Sequence, residues 1–168
     1  MPEPIEYRIL LNLQAALAAM TVAGGYYFTV GATAVKLDPN SDVESLIEPS
    51  GPRPFVLIEV RKERWEYFPA NEVRLVLPFT VHWIPDFPTA GVDASLPQMY
   101  FRGCADVEKA IAVDPGRGTY PDASQGSLAI DTRITGRRMR EIENDSSIAW
   151  AMVDIDIPLR RTFGVPSA

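Results

Sequence analysis

The apolar positions at the start of the chain repeat at helical spacing. Ile5, Ile9, Leu13, Leu17 and Met20 recur every three or four residues, with Leu10 and Ala16 beside them. This predicts an amphipathic helix over 4–20. Pro4 suits its first turn, and Gly24-Gly25 stop it. The period then changes. Tyr26–Val30 is β-prone and Gly31 breaks it, so a short strand or hairpin is expected there, with a second piece at Ala34–Leu37. Residues 38–53 are rich in Pro, Ser and Asp and predict loop around one helical turn at Val43–Ile47.

Two-residue alternation takes over next. Residues 54–62 form a buried-strand run. Residues 72–84 are the clearest strand: Val73, Leu75, Leu77, Phe79, Val81 and Trp83 alternate with Glu72, Arg74, Thr80 and His82. Pro78 removes a ladder donor, which predicts an edge position or a bulge. After a loop at 85–95, Ser95 is placed to cap a second helix running to about Val113. Leu96, Tyr100, Val107 and Ile111 share its apolar face, and Gln98, Arg102, Asp106 and Lys109 lie elsewhere. A Gly-bearing loop at 114–126 leads to two paired strands, 127–140 and 147–162, joined by a polar turn at 141–146. The pattern predicts an α+β fold. It is a single domain over 1–168, with a mainly antiparallel (mixed) sheet of about four to six strands flanked by the N-terminal helix and a helix near 96–113.

Composition narrows the function. With 46% hydrophobic and 23% charged residues in 168, the chain buries a sizeable core and is not disordered. Its net charge of −6 makes tight phosphate-backbone binding a poor fit, because such binding runs on Lys and Arg displacing counterions. A single cysteine, Cys104, excludes an intrachain disulfide. No apolar run is long enough to span a membrane, and Glu3 and Glu6 replace the basic start of a signal peptide.

Catalytic parts are scarce. The one histidine, His82, falls on the polar face of its strand and reads as solvent-facing or interfacial; Cys104 reads as buried packing. One His and one Cys cannot assemble the usual zinc site. Gly24, Gly25 and Gly31 match no phosphate-loop spacing. Asp154 and Asp156, two apart on a strand, share a face, and Asp131 is predicted on the neighbouring strand. That trio leaves a carboxylate-based, metal-dependent enzyme as one reading and an acidic stripe as the plainer one. No catalytic residue, cofactor or metal is assigned.

Interface residues stand out more. Arg133, Arg137, Arg138 and Arg140, with Arg160 and Arg161, form the strongest charge feature, and nothing aromatic interleaves with them as a single-strand platform requires. Arg61, Lys62 and Arg64 flank Trp65, Tyr67 and Phe68, a pairing favoured at interface cores, although a hairpin that folds its aromatics back on the core gives the same sequence. The expected subunit or partner interface is Arg61, Arg64, Trp65, Tyr67, Arg133, Arg137, Arg138, Asp154, Asp156 and Arg160.

The N-terminal block carries a resemblance. A helix ending Ala15–Met20, then Gly25-Tyr26-Tyr27-Phe28-Thr29-Val30-Gly31 and Val35, resembles the start of tailed-phage tail terminator and minor tail (head–tail joining) proteins. Pro54–Val60, Asp106–Ile111 with Asp114, the loop Gly116–Gly126 and the closing segment Val153–Arg161 with Gly164-Val165-Pro166 follow in that family's order. The proline-rich loops at 38–53 and 85–95, and Pro158 in the last strand, depart from it. The resemblance implies a non-enzymatic virion protein of the tail or neck, assembled in the host cytoplasm. It would form a ring, hexameric in the family, that caps the tail tube, stops its growth and joins the head connector. Its partners would be other copies of itself, the tube protein and the head completion or connector protein. DNA would pass through the lumen without specific binding, which an acidic lumen would suit. Another head completion or tail-assembly factor of the neck is the alternative.

Overall fold

A computed structural model of the chain describes residues 4–31, 35–38, 54–67, 73–85, 96–117, 128–142 and 145–161. The first apolar stripe forms α1, Ile5–Ala18, somewhat shorter than its pattern. Pro4 stands just outside as the N-cap, and Arg8 N–H donates to its carbonyl at 3.1 Å. Ile9, Leu13, Ala16, Leu17 and Met20 are buried along one side. A 3₁₀ turn, Val22–Gly24, follows; the Thr21 hydroxyl accepts from Gly24 N–H at 3.0 Å, and Gly25 closes the turn at φ 81°, where glycine is at ease.

The expected strand at Tyr26–Val30 does not form. Its amides find partners elsewhere. Tyr27 and Phe28 N–H both donate to the Asp106 carboxylate at 2.9 Å, and Val30 N–H donates to Met20 C=O at 2.9 Å. Asp106 is therefore buried, not on the polar side of its helix, and burial holds its carboxyl above the ordinary range against those two hydrogen bonds.

Among the described residues six strands form one sheet: β1 Val35–Asp38, β2 Phe55–Val60, β3 Arg64–Tyr67, β4 Val73–Ile84, β5 Arg133–Ile142 and β6 Asp145–Arg161. The order is β1-β2-β4-β6-β5, with β3 also on β4. Among the described residues only the β1–β2 pair is parallel. The second helix, α2, is Leu96–Ala112. Val43–Ile47 and Ser95 lie outside the described residues.

Pro78 corrects an expectation. β4 is central, not an edge: β6 pairs along one side, and β2 and β3 share the other. The Pro78 carbonyl accepts from Arg61 N–H at 3.0 Å, so its missing N–H points to the same side, into the interval between β2 and β3. The proline sits at the last contact before β2 and β3 part, so its missing N–H interrupts that flank and leaves the β6 ladder whole.

Alternation gives the sheet two faces. Leu75, Leu77, Phe79, Val81 and Trp83 of β4, with Val56 and Ile58 of β2 and Ala151, Val153, Ile155, Ile157 and Leu159 of β6, meet α1 and α2 in the main core. Gly103 of α2 lies on Trp83 so closely that a Cβ there would come within 2.3 Å of Cε3. Phe28 packs on the same indole, ring centroids 4.8 Å apart. Cys104 is buried beside it, and burial pushes its thiol up, away from reactivity. Asn12 Nδ2 donates to Asp114 Oδ2 at 3.0 Å and ties α1 to the end of α2.

Arg117 is fully buried at φ 52°. One Nη donates to the Ile111 carbonyl, while Nε and the other Nη have no hydrogen-bond partner among the described residues. Burial lowers its pKa to about 10, with Asp114 opposing. A charge so poorly matched is a net cost. Arg117→Met is therefore expected to be neutral or to raise the urea midpoint, and a clear loss of stability in that variant would contradict this.

Candidate interaction surface

The second sheet face begins apolar and ends charged. At one end Phe55, Leu57, Ile84, Trp150 and Met152 form a smaller buried cluster. Toward the other, the same alternating positions become Glu59 on β2, Thr80 and His82 on β4, and Asp154 and Asp156 on β6. Arginines reach over these from the periphery: Arg61 from the β2–β3 link, Arg64 from β3, and Arg138 from β5.

The contacts form two layers. Arg138 grips Asp154 with Nε at 3.0 Å and Nη2 at 2.8 Å. Thr80 Oγ1 donates to the same carboxylate at 2.7 Å, and Arg61 stands 3.9 Å away. Arg64 is bidentate on Asp156, with one Nη at 3.3 Å, and its Nε lies 3.6 Å from Glu66. Arg61 also approaches Glu59 at 3.8 Å. The side chains of Glu59, Asp154 and Asp156 are 14%, 20% and 15% exposed, against 40%, 50% and 48% for Arg61, Arg64 and Arg138. Carboxylates lie beneath and guanidiniums above, so an approaching partner meets arginine.

Titration follows the layering. Burial alone would raise Asp154, but hydrogen bonds from Arg138 and Thr80, with the charges of Arg138 and Arg61, hold its carboxyl below the ordinary range. The hydrogen bonds to Asp154 and Asp156 raise Arg138 and Arg64 respectively.

His82 is 1% exposed, not solvent-facing as its strand position suggested. Its Nε2 lies 2.9 Å from Glu59 Oε2, and among the described residues Nδ1 has no partner, which fits the neutral ring donating through Nε2. Burial lowers its pKa, opposed by Glu59 and reinforced by Arg61 and Arg138. The folded value lies below the unfolded one. The neutral-state stability is therefore complete above about pH 6.5 and is lost as pH falls through that range toward the folded value. Urea midpoints should decline just below about pH 6.5, and that first decline should vanish in His82→Gln. A wild-type midpoint that stays flat until the carboxylate range would refute this.

Of the expected interface residues, Arg61, Arg64, Arg138, Asp154 and Asp156 meet on this face. Arg133 is the register partner of Asp156, but its Nε lies 3.4 Å from Asp131. Arg137 faces the helices instead and pairs with Glu108 of α2, Nη2 to Oε2 at 2.6 Å. Trp65 and Tyr67 are opposite Leu75 and Val73, on the helix side, 41% and 76% exposed. The side chain of Arg160 lies outside the described residues; its backbone pairs with Arg74. Asp131 does not join Asp154 and Asp156: among the described residues no three His, Cys, Asp or Glu are grouped as metal ligands. Glu59, Thr80 and His82 were missed as site residues. The signal for Glu59 was its place after Phe55 and Leu57 in the same alternation.

Among the described residues no helix is long and apolar enough to cross a membrane. No protein-family model matches this chain, and no curated protein matches it. Among solved structures, a chain from the virion of a native gene transfer agent particle is similar over 89% of this chain and 92% of that one, with a TM-score of 0.48 and 13% identity.

Proposed function

We propose that this chain is a structural subunit of a tailed-phage-like particle, a tail terminator that closes into a ring on the tail tube and joins it to the head connector. The observation that carries the reading is the pair of sheet edges. Among the described residues β1 pairs only with β2 and β5 only with β6, so the sheet ends in two different edges on opposite sides. A head-to-tail ring requires two unlike surfaces on opposite flanks of one subunit. The arginine layer supports a docking role as well. Asp154 and Asp156 are already bound by arginine, which leaves neither free to act as a base or hold a cation. The N-terminal helix, turn and strand spacing noted in the sequence supports a tail ring, hexameric by that resemblance. The ring itself, the tube and the connector are the partners, with DNA passing through.

Light scattering on the purified protein, alone and with tail tubes, tests this. Closed rings, imaged by negative stain and seated at tube ends, are the expected result. A chain that stays monomeric alone and leaves tube length unchanged when added would end the proposal. A neck factor other than the terminator would form an assembly that ignores tubes and binds the connector.

A further inference from the structure

The chain's single histidine is buried where the second sheet face turns from apolar to charged. Its own row across the sheet holds Leu57 of β2 on one side and Met152 of β6 on the other, with Arg138 of β5 beyond. The next row holds Glu59, Thr80 and Asp154. The charged groups that act on the ring are Glu59 from β2, Arg61 from the β2–β3 link and Arg138 from β5, with Asp154 of β6 one row away.

Glu59 serves two neighbours. Its Oε2 lies 2.9 Å from His82 Nε2, and its Oε1 lies 3.8 Å from Arg61 Nε. Arg61 has no better anchor among the described residues. Its other carboxylate, Asp154 at 3.9 Å, is already taken by Arg138 at 2.8 and 3.0 Å and by Thr80 at 2.7 Å. Neither Arg61 contact reaches hydrogen-bond length, so charge alone holds this half-exposed side chain on the face. While the ring is neutral, the carboxylates of Glu59 and Asp154 balance the guanidiniums of Arg61 and Arg138. A proton on His82 leaves the cluster one positive charge in excess. It makes the Nε2 bond to Glu59 charge-assisted, and such bonds are shorter and stronger. The same proton repels Arg61 from a buried site, where charges are poorly screened.

We infer that His82 and Arg61 are alternative cationic partners of Glu59, so that protonating the ring releases Arg61 from the face into solvent. The freed guanidinium sits in the same link as Lys62, so the outer layer gains both charge and mobility. Burial lowers the pKa of the ring, Glu59 opposes that, and Arg61 and Arg138 add to it. The neutral state with Arg61 docked is therefore complete above about pH 6.5, and release comes below it. The device stands on this cluster alone and operates in a single subunit, whether or not that subunit joins a ring.

Nuclear magnetic resonance on the intact chain tests it. One histidine gives one ring signal, and Arg61→Gln identifies the Arg61 Nε–H signal by its loss. In the wild type, Arg61 should lose side-chain order at the same pH midpoint at which His82 titrates. In His82→Gln, with His82→Asn as a second variant should the first fold poorly, Arg61 should stay ordered through that midpoint. In Glu59→Gln it should be disordered on both sides of it. Coupling is reciprocal, so Arg61→Gln should raise the His82 midpoint, and Glu59→Gln should lower it. Near-UV circular dichroism at each pH checks that the chain is folded. An Arg61 signal that ignores the His82 midpoint, or one that still changes there without the histidine, would overturn the proposal. So would a ring that stays neutral until the protein unfolds. None of these readouts depends on assembly, so this device and the terminator reading can fail separately.

Discussion

Gly103→Ala should destabilise the protein despite gaining helix propensity. At an open helix position this change is worth up to about 1 kcal/mol in favour of Ala. Here the new methyl would meet three carbons of the Trp83 six-membered ring at 2.3–2.7 Å. Trp83 is 1% exposed and held by Phe28 on another side, so it has nowhere to retreat. Overpacking of this kind costs about 1–3 kcal/mol, and the closeness of the contact places the outcome at or above the upper end. Urea denaturation measures it. Trp83→Phe shrinks the ring, so the cost of Gly103→Ala should be smaller in that background, and a double-mutant cycle should show the coupling. Equal costs in both backgrounds would remove Trp83 as the cause.

The second large effect is expected at Asp106. Asp106→Ala strips the acceptor from the amides of Tyr27 and Phe28 inside a nearly closed site, where the residue is 2% exposed. Hydrogen bonds to a charged acceptor contribute about 1.5–3 kcal/mol each, so a loss of about 3 kcal/mol or more is expected. Asp106→Asn should recover part of it, because one amide oxygen can replace one carboxylate oxygen. Hydrogen exchange at Tyr27 and Phe28 should speed up in both variants and hardly change at β6. Unchanged protection at those two amides would sink the account.

These two sites show where sequence reading succeeds and where it stops. The stripe Ile9–Leu13–Leu17 and the alternation Leu75 to Trp83 were legible because period alone fixes which positions share a face. Period does not reveal what covers the second face. His82 and Thr80 occupy the polar side of β4 and are buried all the same. Tyr26–Val30 has strand-forming residues, but a carboxylate some eighty positions away took two of its amides. Pro78 signalled an interrupted ladder correctly and left open which side was interrupted. Asp154 and Asp156 were visible as a same-face pair. Their arginines were not, because bringing Arg138 over Asp154 depends on the register of β5 on β6, which shifts between Ile134 and Gly136.

The central position of β4 has a consequence in time. Trp83 pairs with Ala151, and Val73 with Arg161, so each β4 position waits for a partner made 68 to 88 residues later. At ribosomal rates of about 5–20 residues per second, that is a delay of about 3–18 s. Throughout it one flank of a strand with eight bulky apolar residues, Val73, Leu75, Val76, Leu77, Phe79, Val81, Trp83 and Ile84, has no mate. Pairing this non-local also folds slowly once the chain is complete, because loop closure precedes any gain. A nascent subunit should therefore depend on chaperones before β6 emerges, and raising its expression temperature should lower soluble yield sooner than the thermal midpoint of the finished protein suggests.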